Sequence, residues 1–204
     1  KDTAYLQEVV DEYKLAQLPL DGVWADIDYM EDYRNFVVDP FLFGNLTEFV
    51  ANLTHEHFVP VVDAGISQRL RSVSGKIPYL PYLNGDAKNL FIKAHTFTND
   101  SFTGSAWPND VVFMDFHHEN ATEYWSDWLT ELQQQTGFDG VWLGWNEATS
   151  NCDGYCYYDQ IPHHQVQRNL KYIPGGRDLE ERAIALDAVH ADGTLELDAH
   201  SLYG

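Results

Sequence analysis

A short apolar run from Val141 to Trp145 constrains the fold more than any other stretch of the chain. Five residues are too few for a helix, and a run of this length is typical of a buried strand in a parallel sheet. The run gives way to the polar residues Asn146 and Glu147. If the strand belongs to a barrel of parallel strands, Asn146 and Glu147 are site residues at its carboxyl end. An ordinary strand that leads into a loop explains the same run equally well.

Two earlier segments end in the same way, with carboxylates at the end of an apolar strand. Residues 20–27 predict a strand that leads into Asp26 and Asp28, and residues 58–63 predict a strand that Asp63 closes. Apolar residues at helical spacing predict three helices, over 3–17, 45–55 and 120–135. This alternation of helices and strands predicts an α/β fold with a parallel sheet, as in a TIM barrel.

The stretch 67–110 interrupts the alternation. Its short runs of Gly, Pro, Asn, Lys and Tyr predict loops and small strands rather than another helix. A strand is predicted over 111–116, a long loop over 151–176 and a further helix over 178–189. A (β/α)₈ barrel needs about 250 residues, so three or four strands cannot close one. We therefore expect a partial barrel that continues beyond Gly204.

The charge of the chain excludes some classes of partner. The formal net charge is −20, with only 12 Lys and Arg residues, whereas nucleic acids and anionic membranes require many basic side chains. No apolar run is long enough to span a bilayer. Aromatic residues make up 14% of the chain, and aromatic rings either stack on sugars or fill a core. Neutral or cationic partners are favoured.

The cysteines and the glycosylation motifs point to an oxidising compartment. Cys152 and Cys156 are close enough in sequence for a small disulfide loop or for a thiol pair. Four Asn-x-Ser/Thr motifs favour the disulfide and a secretory location, either extracellular or in a lysosome-like or vacuole-like lumen. We expect a glycan on at least one of the four, with Asn120 as the first choice because it begins a helix: Asn45, Asn52, Asn99 and Asn120.

The histidines offer no recognisable metal motif. The pairs at 55 and 57, 117 and 118, and 163 and 164 lack the spacing of a zinc finger or of a His-Glu-x-x-His helix. Solvated histidines on loops are the simpler interpretation. Cys152 and Cys156 have three intervening residues, not the two of a redox pair. We expect no metal and no cofactor.

Several segments together resemble glycoside hydrolase family 31, the α-glucosidase family. They follow the family's order and cover nearly the whole chain: LDGVWADIDYM at 20–30, VDAGIS at 62–67, WP at 107–108, FMDF at 113–116, FDGVW at 138–142 with Asn146 and Glu147, and HSLYG at 200–204. The resemblance implies a (β/α)₈ barrel with an insertion after its third strand, and it assigns residues 67–110 to that insertion. It also implies retaining hydrolysis of α-linked glucosides.

The resemblance also assigns site residues. Asp26 would bind hydroxyl groups of the terminal glucose, and the other pocket residues would be Ile27, Ile66, Trp107, Trp142 and Trp145. The family motif Trp-Ile-Asp-Met-Asn-Glu carries the nucleophilic aspartate, and this chain has WLGWNE at 142–147, so Gly144 occupies the nucleophile position. Glu147 matches a structural residue of the family, which argues against a substitute role. The family's acid/base residue would lie beyond residue 204.

Two functions remain open at this point. The chain is either a degenerate family 31 module, catalytically inactive and retained for carbohydrate binding or a structural role, or part of a working glycosidase whose catalytic groups lie outside residues 1–204. The expected partners are an α-glucoside or glycan and the remainder of the barrel, as the same polypeptide or as another chain.

Overall fold

The computed structural model describes residues 1–71, 78–95, 100–146, 148–156 and 182–199. The elements, in chain order, are α1 (Thr3–Leu15), β1 (Gly22–Ala25), α2 (Leu46–Ala51), β2 (His57–Asp63), β3 (Gly65–Ser67), α3 (Leu80–Ala87), β4 (Gly104–Ala106), β5 (Asn109–Phe113), α4 (Ala121–Thr136), β6 (Trp142–Gly144) and α5 (Glu196–Ala199). Two short 3₁₀ turns, Ile27–Tyr29 and Glu31–Tyr33, follow β1.

The first helix confirms the prediction from periodicity, and its ends have clear causes. The Asp2 carboxylate accepts a hydrogen bond from the backbone N–H of Tyr5 at 2.8 Å, which caps the start of α1. The helix ends at Leu15, two residues earlier than predicted, because Gln17 adopts a left-handed conformation with φ of 56° ahead of Pro19. Leu6 is the buried residue of this helix.

The longest helix among the described residues, α4, also agrees closely with its predicted range. Gly137 stops it in the left-handed conformation, with φ of 72°, and its N–H donates to the Gln133 carbonyl at 2.7 Å. The helix buries a stripe that includes Tyr124 and Leu132 against the core. The chain then enters β6 without a long loop.

The three predicted apolar strands form one parallel sheet in the order β1-β2-β6. Val23 pairs with Phe58, and Val62 pairs with Leu143. Val23, Phe58 and Val62 are buried on one face, where α1, α2 and α4 contribute to the first hydrophobic core. The described residues contain no closed barrel, which agrees with the prediction of a partial one.

The strand predicted over 111–116 does not join the parallel sheet and begins two residues earlier than predicted. It spans Asn109–Phe113 and lies between β3 and β4 in an antiparallel sheet. Only Trp107 and Pro108 separate β4 from β5. A two-residue connection makes a hairpin, whereas parallel strands need a crossover of about a dozen residues or more. The hairpin lies within the stretch that follows β2, the second parallel strand of the described chain.

The prediction that 67–110 contains no helix was wrong, because α3 forms within it. Pro81 is acceptable in the first turn of a helix, where its missing N–H has no partner in any case. A Cβ atom at Gly85 would overlap the ring of Phe91, so glycine is required there for close packing. Proline and glycine therefore obscured a helix that tertiary packing stabilises.

The helix predicted over 178–189 was also wrong for residues 182–189, the part of this range that the structure describes. Residues 182–189 lie without helical structure across the second core, where Ile184, Ala185 and Ala188 are buried against Phe102 and Phe113. Backbone groups of this segment form hydrogen bonds to Lys93 on one side and to residues 195–197 on the other. Pairing with distant chain replaced the intrinsic helical preference.

A buried ionic cluster holds the C-terminal segment against the end of β5. His190 Nδ1 lies 2.8 Å from Asp115 Oδ1, and His190 Nε2 lies 3.0 Å from Glu196 Oε2. All three side chains are almost fully buried. Burial alone would lower the pKa of His190, but the two carboxylates raise it to about 9. Burial raises the pKa of Asp115, and the bonds from His190 and the neighbouring backbone more than offset this, so that its pKa lies below the usual value.

We expect His190→Gln to destabilise the protein by about 3–5 kcal/mol, because it removes a cation that lies between two buried carboxylates. In the parent, the stabilisation from His190 is complete below the unfolded pKa of about 6.5 and is lost as the pH rises through about 9. Urea unfolding at several pH values should show this loss in the parent and not in the variant. His57→Gln is the matched control, because His57 is exposed and pairs only weakly with Asp139. Equal stability of the two variants would contradict the role of the cluster.

Candidate functional site

The carboxyl ends of the three parallel strands lie side by side. Asp63 at the end of β2 pairs with Gly144 at the end of β6, and Asp26 directly follows β1. Paired residues of a parallel sheet project from the same face, so the Asp63 side chain lies next to the Gly144 α-carbon. Together with Trp24 and Trp142, these three residues form a set that we call the carboxyl-edge cluster.

Asp26 combines a fixed backbone with an exposed side chain. One carboxylate oxygen accepts a hydrogen bond from the Ile27 backbone N–H at 2.8 Å and caps the 3₁₀ turn that follows. The residue is solvent-exposed. Its second oxygen is therefore suited to accept hydrogen bonds from a hydroxylated ligand at the sheet edge.

Asp63 is the buried carboxyl group of the cluster. Its Oδ1 accepts a hydrogen bond from the Gly65 N–H at 2.7 Å. Burial raises the pKa of Asp63 to about 6, and the backbone N–H groups of Gly65 and Ala64 oppose that rise. The sequence places Asp63 at a strand end, but we did not predict it as a site residue. Its position at the end of a predicted parallel strand, like that of Asp26, could have indicated that it belongs to the site.

Asn35 holds the backbone on both sides of Asp63, and no sequence pattern indicated this role. Its Nδ2 donates to the carbonyls of Asp63 at 2.6 Å and Gly65 at 2.8 Å, and its Oδ1 accepts from the Asp63 N–H at 2.9 Å. The side chain is buried. Three hydrogen bonds from one amide fix the position from which the Asp63 carboxyl group projects.

Gly144 lies tightly against its neighbouring strand. A Cβ atom at this position would be 2.8 Å from Cγ2 of Val61, closer than side chains normally approach. Val61 is itself buried. Any larger residue at 144 therefore requires the valine to move.

Two pairs of tryptophans lie at and near this edge. Trp24 and Trp142 lie on the same face of the sheet, both side chains are exposed, and their ring centroids are 5.7 Å apart. Trp107, in the hairpin, meets Trp145 edge to face at 6.3 Å. Trp145 adopts a left-handed conformation with φ of 55°, which costs a bulky residue about 1–2 kcal/mol. All four rings are more than a third exposed, as rings that stack on a ligand must be.

The remaining sequence-predicted pocket residues are less accessible. Ile66 is fully buried in the first core and pairs with Val112 of β5, so it presents no surface to a ligand in this structure. Ile27 is partly buried against the same core. Asn146 follows the β6 strand and is partly exposed, and Glu147 lies outside the described residues.

A disulfide closes the loop after β6, which confirms the predicted pairing of Cys152 with Cys156. The buried hydroxyl of Ser150 lies 3.3 Å from Cys152 Sγ and accepts a hydrogen bond from the Ser105 N–H at 3.1 Å. The loop is thus joined to β4 and so to the hairpin that carries Trp107. Within the described ranges, no group of three or more His, Cys, Asp or Glu residues is arranged to hold a metal ion.

The glycosylation motifs differ in exposure. Asn45 and Asn52 are exposed at the two ends of α2, and the Asn45 side chain makes no capping hydrogen bond. Asn120 at the start of α4 is only partly exposed. Asn99 lies outside the described residues. Among the helices of the described chain, none is long and apolar enough to cross a membrane.

Polar side chains at the carboxyl ends of parallel strands are the arrangement found at the active-site edge of TIM barrels. The sequence model described as "Glycosyl hydrolases family 31 TIM-barrel domain" matches residues 1–204. The chain therefore belongs to glycoside hydrolase family 31.

Curated relatives cover this chain almost completely but are far longer. An α-glucosidase of Aspergillus niger is 35% identical over 98% of the chain, which spans 27% of that protein. The intestinal sucrase-isomaltase of Oryctolagus cuniculus is 32% identical over 98% of the chain, which spans 11% of it. Glucoamylase 1 of Candida albicans is 27% identical over 98%, and the chain spans 28% of it. The chain thus corresponds to about a tenth to a quarter of these relatives.

Solved structures agree on the fold. The catalytic subunit in the heterodimeric ER glucosidase II complex superposes on the whole chain with a TM-score of 0.76 at 18% identity, and the chain covers 19% of it. A Flavobacterium johnsoniae family 31 dextranase complexed with glucose gives a TM-score of 0.70 at 17% identity, with 21% of that chain covered. At these identities the similarity supports the partial TIM barrel and nothing more specific.

We expect Asp63→Asn to change the pH dependence of stability. Because its folded pKa of about 6 exceeds the unfolded value of 3.8, the Asp63 carboxyl group contributes stability that is complete below pH 3.8 and lost as the pH rises through about 6. From pH 4 to pH 7 the parent should therefore lose about 2–3 kcal/mol relative to the variant, which does not titrate. Thermal unfolding of both proteins across this range measures the difference. The control is Asp21→Asn at an exposed position, whose stability should depend on pH as that of the parent does. The same pH dependence in Asp63→Asn would contradict the burial of this carboxyl group.

Proposed function

We propose that this family 31 module binds a neutral carbohydrate at the carboxyl-edge cluster and does not cleave it by the family's covalent route. The observation that carries the proposal is Gly144, which has no side chain on the face and at the edge where Asp26, Asp63 and Trp142 gather. Retaining hydrolysis needs two carboxyl groups about 5 Å apart, one to attack and one to donate a proton. The resemblance puts the attacking group at residue 144.

The carbohydrate ligand is supported by the chemistry of the edge. Exposed indole faces at Trp24 and Trp142 suit the C–H faces of a sugar ring, and Asp26 offers an acceptor for hydroxyl groups. The net charge of −20 disfavours anionic ligands. Relatives named α-glucosidase and glucoamylase support an α-linked glucoside or glycan as the ligand class.

The glycine at residue 144 is accompanied by other features of the neighbouring chain that oppose a larger side chain at this position. Val61 occupies the space that a Cβ atom at 144 would need, and Trp145 follows in a conformation unusual for its type. Forcing extra atoms into such packing costs about 1–3 kcal/mol. The module therefore retains its sheet edge and its aromatic rings, with Val61 packed where the side chain of a nucleophile would begin, and we propose that it serves carbohydrate binding or assembly.

A working glycosidase is the alternative, with catalytic groups supplied by chain beyond residues 1–204. Its support is the coverage of the relatives, since this chain spans only about a tenth to a quarter of them. The remainder of the barrel, in the same polypeptide or in another chain, is a partner under both proposals. Activity of the native protein separates the two.

A secretory location is part of the proposal. The disulfide between Cys152 and Cys156 is typical of an oxidising compartment. One of the structural relatives, glucosidase II, is an ER protein. An extracellular space or a lysosome-like or vacuole-like lumen fits the same features.

We expect the native protein to release no aryl alcohol from an aryl α-glucoside, because loss of a covalent nucleophile raises the barrier by several kcal/mol. A mechanism-based inhibitor should leave residues 138–147 unlabelled. Gly144→Asp alone should not restore turnover, because the new side chain meets Val61. Hydrolysis by the native protein that Asp26→Asn abolishes would establish the working glycosidase instead.

Exposure replaces Asn120 as our first choice of glycosylation site: we expect N-linked glycans on Asn45 and Asn52 in preference to Asn120, because the first two are exposed and Asn120 is only partly exposed. Intact-mass analysis before and after endoglycosidase treatment should show a mass loss in the parent. The loss should disappear largely in Asn45→Gln/Asn52→Gln and persist in Asn120→Gln. A parent mass that does not change would count against the secretory location, and a mass loss that follows Asn120 would reverse the order of the sites.

A further inference from the structure

A concave surface lies between α3 and α4, away from the carboxyl-edge cluster. Its volume is about 460 Å³, within the range of small-molecule sites, and it shares no lining residue with the cluster. We call it the α3–α4 groove. The residues that matter are Asn84 and Lys88 on the α3 side and Tyr124, Asp127, Trp128 and Glu131 on α4.

The floor of the groove is aromatic and held in place. The Tyr124 hydroxyl donates to the Pro81 carbonyl at 2.7 Å, which fastens α4 to the start of α3. Trp128 stacks on Phe36 at 6.2 Å and meets Tyr124 edge to face at 6.3 Å, so its indole is fixed while part of it remains exposed. A ring that is already ordered loses little conformational entropy when a ligand stacks on it.

The rim of the groove is polar on both sides. Asp127 and Glu131 are one turn apart on α4, so that their side chains project from the same side of the helix. Asn84 faces them from α3 and supplies both a donor and an acceptor. Lys88, at the end of α3, is already paired with Glu123 at 3.5 Å.

These properties select the chemical class of the ligand. Two carboxylates facing one lysine that already has a partner disfavour an anion, as does the net charge of −20. A purely apolar ligand would leave the rim carboxylates and the amide without partners. A neutral polyhydroxylated ligand satisfies both surfaces, since its hydroxyl groups bond to the rim and its C–H face lies on the indole.

We propose that the α3–α4 groove is a second binding site, for a neutral oligosaccharide, which operates independently of the carboxyl-edge cluster. Such a site would hold a second part of the same glycan or polysaccharide on the outer surface of the barrel. It requires no residue of the catalytic motif, so it stands whether or not the module cleaves sugars.

Calorimetric titration of the native polypeptide with maltoheptaose tests the proposal. Asn84→Ala combined with Asp127→Ala should raise the Kd of the groove at least about tenfold, because each substitution removes a hydrogen-bonding partner of the sugar. The matched control is Gln134→Ala, an exposed residue of α4 that does not line the groove, and it should leave the Kd unchanged. Trp128→Phe keeps an aromatic ring against Phe36 and should weaken binding without unfolding the protein.

Asp26→Asn separates the two sites, because it alters the carboxyl-edge cluster and should leave the groove's affinity intact. Maltoheptaose binding that the Asn84 and Asp127 substitutions do not change would overturn the proposal. So would the absence of any binding that survives Asp26→Asn. Binding of spermidine in place of maltoheptaose, lost in the same double variant, would also overturn it by identifying a cation site.

Discussion

The side-chain amide of Asn35 fixes the backbone at the point where the chain passes from one sheet to the other, and both sheets depend on that junction. β2 ends at Asp63 and β3 begins at Gly65, so the parallel and antiparallel sheets are joined through Ala64. Asn35 makes hydrogen bonds to the backbone on both sides of that residue. The Tyr79 hydroxyl donates to the Asn35 carbonyl at 3.1 Å. Loss of the amide would leave several buried backbone groups without partners.

Two buried cations hold the segments that the sheets alone do not fix. Arg34, next to Asn35, pairs with Glu31 and lies over the ring of Tyr79 at 4.8 Å. His190 joins the C-terminal segment to the end of β5 in the same manner. Buried ion pairs contribute little net stability compared with apolar packing, but each one strongly disfavours arrangements in which its partners separate. The pair of His190 with Asp115 therefore sets a connection between segments that are distant in sequence, whereas Arg34 pairs with Glu31 three residues away and reaches distant chain through the Tyr79 ring.

Hydrophobic periodicity predicted the elements that need only an apolar surface to pack against. It missed the elements that depend on one particular contact. The strands β1, β2 and β6 and the helices α1 and α4 follow from apolar spacing, since any apolar surface would cover them. The helix α3 depends on one close contact between Gly85 and Phe91, and residues 182–189 depend on pairing with Lys93. Asp26 was assigned from its strand end and the family resemblance, whereas Asn35 could not be, because its partners are backbone groups that carry no sequence signal.

Whether a residue at position 144 could act as a nucleophile depends on its neighbours as well as on the residue itself. Cγ2 of Val61 would lie 2.8 Å from a Cβ atom at residue 144, and Asp63 stands across the register from it with a carboxyl group whose pKa burial raises to about 6. A second carboxylate placed beside Asp63 would face a like charge in a poorly solvated position, which raises the pKa of both groups and favours a shared proton. A nucleophile must be ionised to attack. Room for the side chain and a compensating positive charge are therefore both conditions for covalent chemistry here, and a change at residue 144 alone supplies neither.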